Sequence, residues 1–361
     1  MPVTLNEVAK AAGVSIATAS RALTGSSHPM NDETRQRILQ LADELGYHPN
    51  LVARSLRTDR TQSIGLIVEN ILSPFIPPII RGIQDTLKPE GYFSTIINSD
   101  YEPEIEIEAI NALNHRQIDG IIFVEPAHQS EEIFQQVTEK PLVFVHRLFI
   151  SRSENSVAPD ERNGARLATD HLLRLGHLRI AYINGPGDWS ASINRLAGYR
   201  EELAEHGIPF DEALVQDGDW GVQCGYLAAQ RFMHLPDPPT AIFAGNDLMA
   251  LGAIYGLQEM GIRVPQDVAV MGYDNRELTG YVRPAISTVT MPCYEMGQVA
   301  ARMILGLVRG ETDHYPPVEV QGKLIVRESC GANPGKWQFE EEEAVQMYRS
   351  KRRNLFVSEC E

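Results

Sequence analysis

The stretch Leu5-Asn-Glu-Val-Ala-Lys-Ala-Ala-Gly-Val-Ser-Ile-Ala-Thr-Ala-Ser-Arg-Ala-Leu23 decides the N-terminal fold. Leu5, Val8, Ala9 and Ala12 recur at helical spacing, Gly13 breaks the run, and Val14-Ser15 leads into a second run of Ile16, Ala19, Ala22 and Leu23. The pattern predicts helix, tight turn, helix. Ser15 is placed to N-cap the second helix, and the small residues Ala9, Ala12, Ala19 and Ala22 let two short helices cross closely at a steep angle. In a helix-turn-helix the start of the second helix faces base edges in the major groove. That puts Ile16, Ala17, Thr18, Ser20 and Arg21 in reading positions, with Arg21 as the hydrogen-bonding base reader and Thr4 and Ser15 as further candidate DNA contacts.

A third helix is expected over 32–45, capped by Asn31, with Asp32 and Glu33 in its first turn and Ile38, Leu41, Ala42 and Leu45 on one face. Gly46 ends it. Then comes Tyr47-His-Pro-Asn-Leu-Val-Ala-Arg-Ser-Leu56, in which Pro49 and Asn50 open a run too short to hold as a helix alone in water. It is expected to be helical only when supported.

Val-Ala-Lys-Ala-Ala-Gly-Val-Ser, Thr-Ala-Ser-Arg, Gly-Tyr-His-Pro-Asn and Ala-Arg-Ser-Leu, in this order and spacing within residues 3–60, closely resemble the headpiece of the lactose-repressor (LacI/GalR) family of bacterial transcription regulators. The resemblance implies a homodimer on double-stranded operator DNA, whose paired hinge helices fold on the operator and wedge Leu56 into the minor groove. Tyr47, Asn50 and Arg54 join Leu56 as candidate DNA contacts from the hinge.

The net charge of −16 looks wrong for a nucleic-acid binder until it is divided. Residues 1–60 hold seven Lys/Arg against six Asp/Glu, net +1, which leaves −17 for the rest. Phosphate affinity must then come from placement, helix N-termini and dimerisation more than from bulk charge, and the acidic body is repelled from DNA. Such a chain suits a site-specific regulator better than an architectural protein. A hydrophobic content of 43% over 361 residues allows a sizeable core. No apolar run is long enough to span a bilayer and no signal-peptide core is visible at the N-terminus, so a cytoplasmic, non-membrane protein is expected. Cys224, Cys293, Cys330 and Cys360 show no C-x-x-C pairing, which suggests neither a zinc site nor a disulfide framework.

After a polar joint at 58–62, short apolar strands alternate with helices. Strands are expected at 63–68, 92–98, 118–124 and 141–146, with helices at 79–87, 104–115 and 130–138. A second series has helices at 161–175, 194–206, 223–234 and 248–260 and strands at 179–184, 213–216, 241–244 and 268–273. The fold class is therefore α/β: an all-α headpiece followed by two lobes with parallel sheets, in the manner of periplasmic binding proteins. The expected organisation is headpiece 1–47, hinge 48–61, a two-lobed effector and dimerisation domain 62–330, and a tail 331–361. Lobe 1 takes 62–160 and 291–321; lobe 2 takes 161–290 and 322–330. Ligands of such sheets sit at the carboxyl ends of the strands, here in a cleft between lobes.

The resemblance to the repressor family continues to about residue 330, through Ser63-Ile-Gly-Leu-Ile-Val, Ile118-Asp-Gly-Ile-Ile, Arg195-Leu-Ala-Gly-Tyr, Ala244-Gly-Asn-Asp-Leu-Met-Ala and Val268-Ala-Val-Met-Gly-Tyr-Asp. It implies effector positions at Phe75, Ile76, His146, Arg147, Trp189, Ala191, Arg195, Trp220, Asn246 and Asp274. Phe75, Trp189 and Trp220 offer flat apolar faces, and Arg195 and Asp274 bidentate hydrogen-bonding ends, a combination suited to a sugar. Phe75 and Trp220 also read as plain packing, and Asp274 as a turn cap. Arg195, in a run of Leu and Ala, needs an acidic or a ligand partner. His146 stands where the family usually has an acid. A nucleobase or amino-acid effector, or a co-repressed or activating regulator, is the alternative.

Two other classes are weighed. Gly185-Pro-Gly187 after a strand lacks the third glycine of a dinucleotide loop, and Pro186 removes an amide that a phosphate would use. No P-loop, Gly-x-Ser-x-Gly elbow or His-Glu-x-x-His is present, so no catalytic residue, metal ligand or cofactor is expected. A freestanding solute-binding protein fits the body but not the headpiece.

Overall fold

The computed structural model describes residues 3–23, 30–47, 60–125, 138–146 and 155–332. The hinge positions Asn50, Arg54 and Leu56, the expected helix at 130–138, Arg147 and the tail beyond 332 lie wholly or largely outside them.

The headpiece has three helices, α1 (Leu5–Ala11), α2 (Ile16–Leu23) and α3 (Asp32–Glu44). Val8, Ala9, Ala12, Ala19, Ala22, Ile38 and Ala42 form its core. Gly13 takes the left-handed φ of 64° that the tight turn between α1 and α2 requires. Asn31 caps α3, its side chain accepting from Glu33 N at 2.9 Å. Arg37 Nη2 donates to Ala12 O at 2.9 Å, tying α3 to the end of α1.

The chain separates into two compact units, one of Met1–Asn70, Gln84–Phe144 and Ala301–His314, the other of Ile71–Ile83, Val145–Ala300 and Tyr315–Glu361. Their boundaries differ from the expected lobes in placing 71–83, 145–160, 291–300 and 315–321 with the second unit. In the first unit, β1 (Ser63–Val68) pairs in parallel with β2 (Phe93–Asn98) on one side and β3 (Gly120–Val124) on the other, and β4 (Leu142–Val145) follows β3. Every residue of β3 and β4 is buried, as expected for parallel strands covered on both faces. α5 (Pro103–His115) lies close over β1 at Gly65, where a Cβ would come within 2.5 Å of Leu113. α4 (Ile76–Leu87) and α10 (Cys293–Arg309) both continue across the unit boundary.

The second unit is built on a parallel sheet in the order β7 (Val215–Asp217), β6 (Ile180–Asn184), β8 (Ala241–Ala244), β9 (Ala269–Met271). Strand alternation divides its core. Ile180, Tyr182, Phe243 and Met271 face α6 (Glu161–Arg174) and α7 (Ser190–Glu205), whereas Ala181, Ile183 and Ile242 face α8 (Val222–Met233) and α9 (Asp247–Glu259). β5 (Ser156–Pro159) pairs with β11 (Val318–Val320), and β10 (Thr288–Val289) with β12 (Leu324–Ile325) antiparallel. Sequence periodicity missed β5, β10 and β11, which are two to four residues long and carry too few alternations to register.

Candidate DNA-reading surface and effector site

Thr4 and Ser15 both serve helix starts. Thr4 forms a capping box with Glu7: its Oγ1 accepts from Glu7 N at 3.4 Å, while its own N donates to Glu7 Oε2 at 2.7 Å. Ser15 Oγ accepts from Thr18 N at 3.1 Å and lies 2.8 Å from the Thr18 hydroxyl. α2 buries Ala19 and Ala22, and its other side leaves Ala17 and Arg21 exposed, Thr18 and Ser20 half-buried. Ile16 is 51% exposed, an apolar group held out at the start of a capped helix where a thymine methyl could meet it. Tyr47 packs half-buried against the headpiece core.

The expected effector residues Phe75, His146, Trp189, Ala191, Arg195, Trp220, Asn246 and Asp274 fall within the second unit, Trp189, Trp220, Asn246 and Asp274 in the loops that follow the carboxyl ends of its parallel strands. Trp189 stands at the N-cap position of α7, 54% exposed, its ring 6.2 Å from that of Trp220 and edge-on to it. Trp220 has a φ of 66° and lies over Gly185, where a Cβ would fall 2.0 Å from its ring. This close approach is a physical reason for a glycine there. Phe75 and His146 have ring centroids 5.7 Å apart, both half-buried, and Ala191 is half-buried in the first turn of α7. Ile76 is fully buried at the start of α4 and contributes packing. Asn246 caps α9 by accepting from Met249 N at 2.8 Å and donates from Nδ2 to Trp220 O at 3.0 Å, so its side chain holds the site's frame.

Arg195 is only 3% exposed, and its fork is taken. Nε and Nη2 donate to the two Glu161 carboxylate oxygens at 2.6 and 3.0 Å, Nη1 donates to Gly245 O and lies 3.5 Å from Asp274 Oδ1, and the guanidinium carbon is 3.7 Å from the Tyr273 ring centroid. Burial works to lower its pKa, but Glu161 and Asp274 more than offset this and hold it above the usual value. The acidic partner the sequence demanded is therefore Glu161, at the first position of α6 behind the capping Asp160. Sequence reading missed it because an acid in a helix's first turn is ordinary dipole chemistry.

Asp274 has a φ of 103°, and burial pushes its carboxyl up to about 7, against the pull of Arg195. Asp247, fully buried one residue past Asn246, accepts from Thr288 Oγ1 at 2.7 Å and from Arg276 N at 2.7 Å; burial, then Asp274, raise its pKa well above normal. Trp220 Nε1, Ser192 Oγ, Asn184 Oδ1 and Tyr182 OH are buried with no hydrogen-bond partner among the described residues. Such groups cost stability unless something satisfies them.

Residues 4–50 match the family described as bacterial regulatory proteins, lacI family, and residues 169–330 match the periplasmic binding protein-like domain. The chain is 33% identical over 332 residues to catabolite control protein A of Priestia megaterium, covering 91% of this chain and 99% of that protein. The chain belongs to the LacI family of bacterial transcription regulators. Among solved structures, the lac repressor dimer bound to operator and the anti-inducer ONPF superposes with a TM-score of 0.75 at 28% identity, covering 92% of this chain and all of that one. The transcriptional regulator CelR in complex with cellobiose gives 0.63 at 32% identity, covering 91% and 99%. As a LacI-family member this chain is a DNA-binding regulator with an effector-binding domain and is not an enzyme. Among the described residues no helix is long and apolar enough to cross a membrane.

Two further features of this LacI-family chain involve neither Arg195 nor Asp274. An open groove of about 470 Å³ runs along α7, lined by Asn184, Ile193, Leu196, Arg200 and Asp217, without Arg195 or Asp274. Asp170, Glu202 and His206 come within ligand distance of one another, but Arg174 Nε donates to Asp170 at 2.8 Å and Arg166 Nε to Glu202 at 2.9 Å, so the carboxylates belong to an ion-pair mesh.

Proposed function

We propose that the protein is a homodimeric operator-binding repressor released by a small sugar-like inducer held by the second unit. The observation that carries the reading is the pairing of two surfaces: α2 with Ile16, Ala17 and Arg21 outward, and a cluster of Trp189, Trp220, Phe75 and Asp274 beside buried polar groups that lack partners. Aromatic faces with neutral donors and acceptors between them are what a pyranose ring needs. In support, the structurally similar CelR was solved with cellobiose. Thr4, Ser15, Thr18, Ser20 and Tyr47 complete the headpiece contacts, and Asn50, Arg54 and Leu56 supply those of the hinge. The dimer reading rests on the family resemblance of the headpiece and hinge and on the similar lac repressor, which was solved as a dimer bound to operator.

The test is selection of binding sites from random duplex DNA, followed by thermal-shift screening of sugars, nucleosides and amino acids on wild type and Asp274→Ala. Palindromic sites and a sugar whose effect is lost in the variant support the reading. Single, non-palindromic sites, or stabilisation by a nucleobase or amino acid alone, overturn it.

A further inference from the structure

We propose that Glu161 is the residue that sets effector charge, making the site select an uncharged, hydroxyl-rich molecule and reject its phosphorylated or carboxylated relatives. The inference rests on the effector reading above and deepens it.

An anionic effector is held most strongly by a cation with unspent donors. Arg195 is the fully buried cation of the site, and its donors go to both oxygens of Glu161 and to Gly245 O, with Asp274 at 3.5 Å. Glu161 and Asp274 both face this guanidinium, with Asp247 behind them and Arg276 and Arg327 within electrostatic reach of the two aspartates. Arg327 is spent in the same way, on Asn275 Oδ1 and Ile286 O at 2.8 Å each. A phosphate brought to Arg195 would have to displace Glu161 from its bidentate pairing or stack charge on Asp274, in surroundings where like charges repel strongly.

Among the described residues of the second unit, the buried side-chain groups left without partners are uncharged: the Trp220 Nε1 donor, the Ser192 hydroxyl one helical turn before Arg195, the Asn184 Oδ1 acceptor one residue before Gly185, and the Tyr182 hydroxyl. One donor, one acceptor and two hydroxyls that do both match sugar hydroxyls, each of which gives and takes a hydrogen bond. A site tuned to anions would show the reverse, with a free guanidinium and satisfied neutral groups.

The experiment uses the full-length protein and follows binding by calorimetry and operator release by fluorescence anisotropy. Wild type is titrated with matched series: glucose, glucose 6-phosphate and glucuronate; galactose, galactose 6-phosphate and galacturonate; ribose and ribose 5-phosphate. Inorganic phosphate is titrated alone. The expected result is that phosphate does not bind and that any sugar that binds does so about tenfold or more tighter than its anionic counterparts, a conservative figure for a like-charge encounter. Glu161→Gln should then acquire phosphate binding, and Glu161→Gln with Arg195→Met should lose it.

Saturable binding of phosphate or of any anionic sugar to wild type, at an affinity equal to or above that of the neutral sugar and abolished by Trp220→Ala, overturns the proposal. A folded Glu161→Gln that gains no phosphate binding also overturns it. If Glu161→Gln does not fold, the wild-type series decides alone. An anionic sugar that releases operator would sink this inference and leave the regulatory reading standing. A neutral sugar that binds through Trp220 without moving operator affinity would do the opposite.

Discussion

Replacing Glu161 by alanine should be among the most destabilising single changes in the second unit. Arg195 is 3% exposed and Glu161 9%, so neither group regains water when its partner goes. In Glu161→Ala the guanidinium keeps Gly245 O and Asp274 at 3.5 Å but loses both short bonds, which is the breaking of a buried pair, worth about 3 to 5 kcal/mol. For a body of this size that is a fall in melting temperature of about 6 to 20 °C, at 2 to 4 °C per kcal/mol. Arg195→Met leaves Glu161 and Asp274 without their shared cation and should cost a similar amount. The double variant Glu161→Ala, Arg195→Met removes both charges and should recover at least about 2 kcal/mol of the summed single effects, the non-additivity expected of residues in one network. Urea unfolding followed by tryptophan fluorescence is a suitable assay, because the Trp220 ring centre is 5.5 Å from the guanidinium carbon and reports on the site directly. A cost for Glu161→Ala below about 1 kcal/mol, the value of an exposed pair, would refute the argument that this ion pair is buried and indispensable.

Asp274 gives a pH signature. Its pKa is about 7 when folded against 3.8 for the free residue, so its contribution to stability is complete below pH 3.8 and is lost as pH rises through 7. Wild type should therefore lose stability relative to Asp274→Asn between pH 4 and 7, with a slope of up to about 1.4 kcal/mol per pH unit, and parallel curves would contradict this. Gly252→Ala should destabilise by about 1 to 3 kcal/mol despite the better helix former, because its Cβ would lie 1.9 Å from Val222 O across the α8–α9 contact; calorimetry showing a neutral or stabilising effect would mean the helices can separate. Thr4→Ala removes the α1 capping box and should cost the headpiece about 0.5 to 2 kcal/mol, visible as faster amide exchange over Leu5–Ala11. Arg21→Ala should relax preference at one base per half-site by about 1 to 3 kcal/mol, measured by competition with base-substituted duplexes; a uniform loss across all sequences would make Arg21 a phosphate contact instead.

Local patterns carried much of this protein on their own. The headpiece was readable because each of its features is set within a few residues: a small-residue helix face, Gly13 at positive φ, and caps at Ser15 and Asn31. β1 and β8 fell at 63–68 and 241–244 as expected, since a strand buried on both faces shows as an unbroken apolar run. The positions of Trp220, Asn246 and Asp274 were likewise visible, because each follows the end of a strand that the pattern had already placed.

What those side chains bond to within the chain depends on partners far away in sequence. Arg195 read as needing an acidic or a ligand partner, and Glu161, 34 residues earlier, takes its fork, a pairing that nothing in either local sequence announces. Asn246, expected among the effector residues, caps α9 and holds the Trp220 carbonyl 26 residues away. Ile76, expected in the same set, is buried at the start of α4. Periodicity reports which face of an element is buried, which depends on that element alone. Whether a buried polar group is satisfied depends on which other elements fold against it, and for Arg195, Trp220 and Ser192 that became known only when α6, α7 and the ends of β6 and β8 came together.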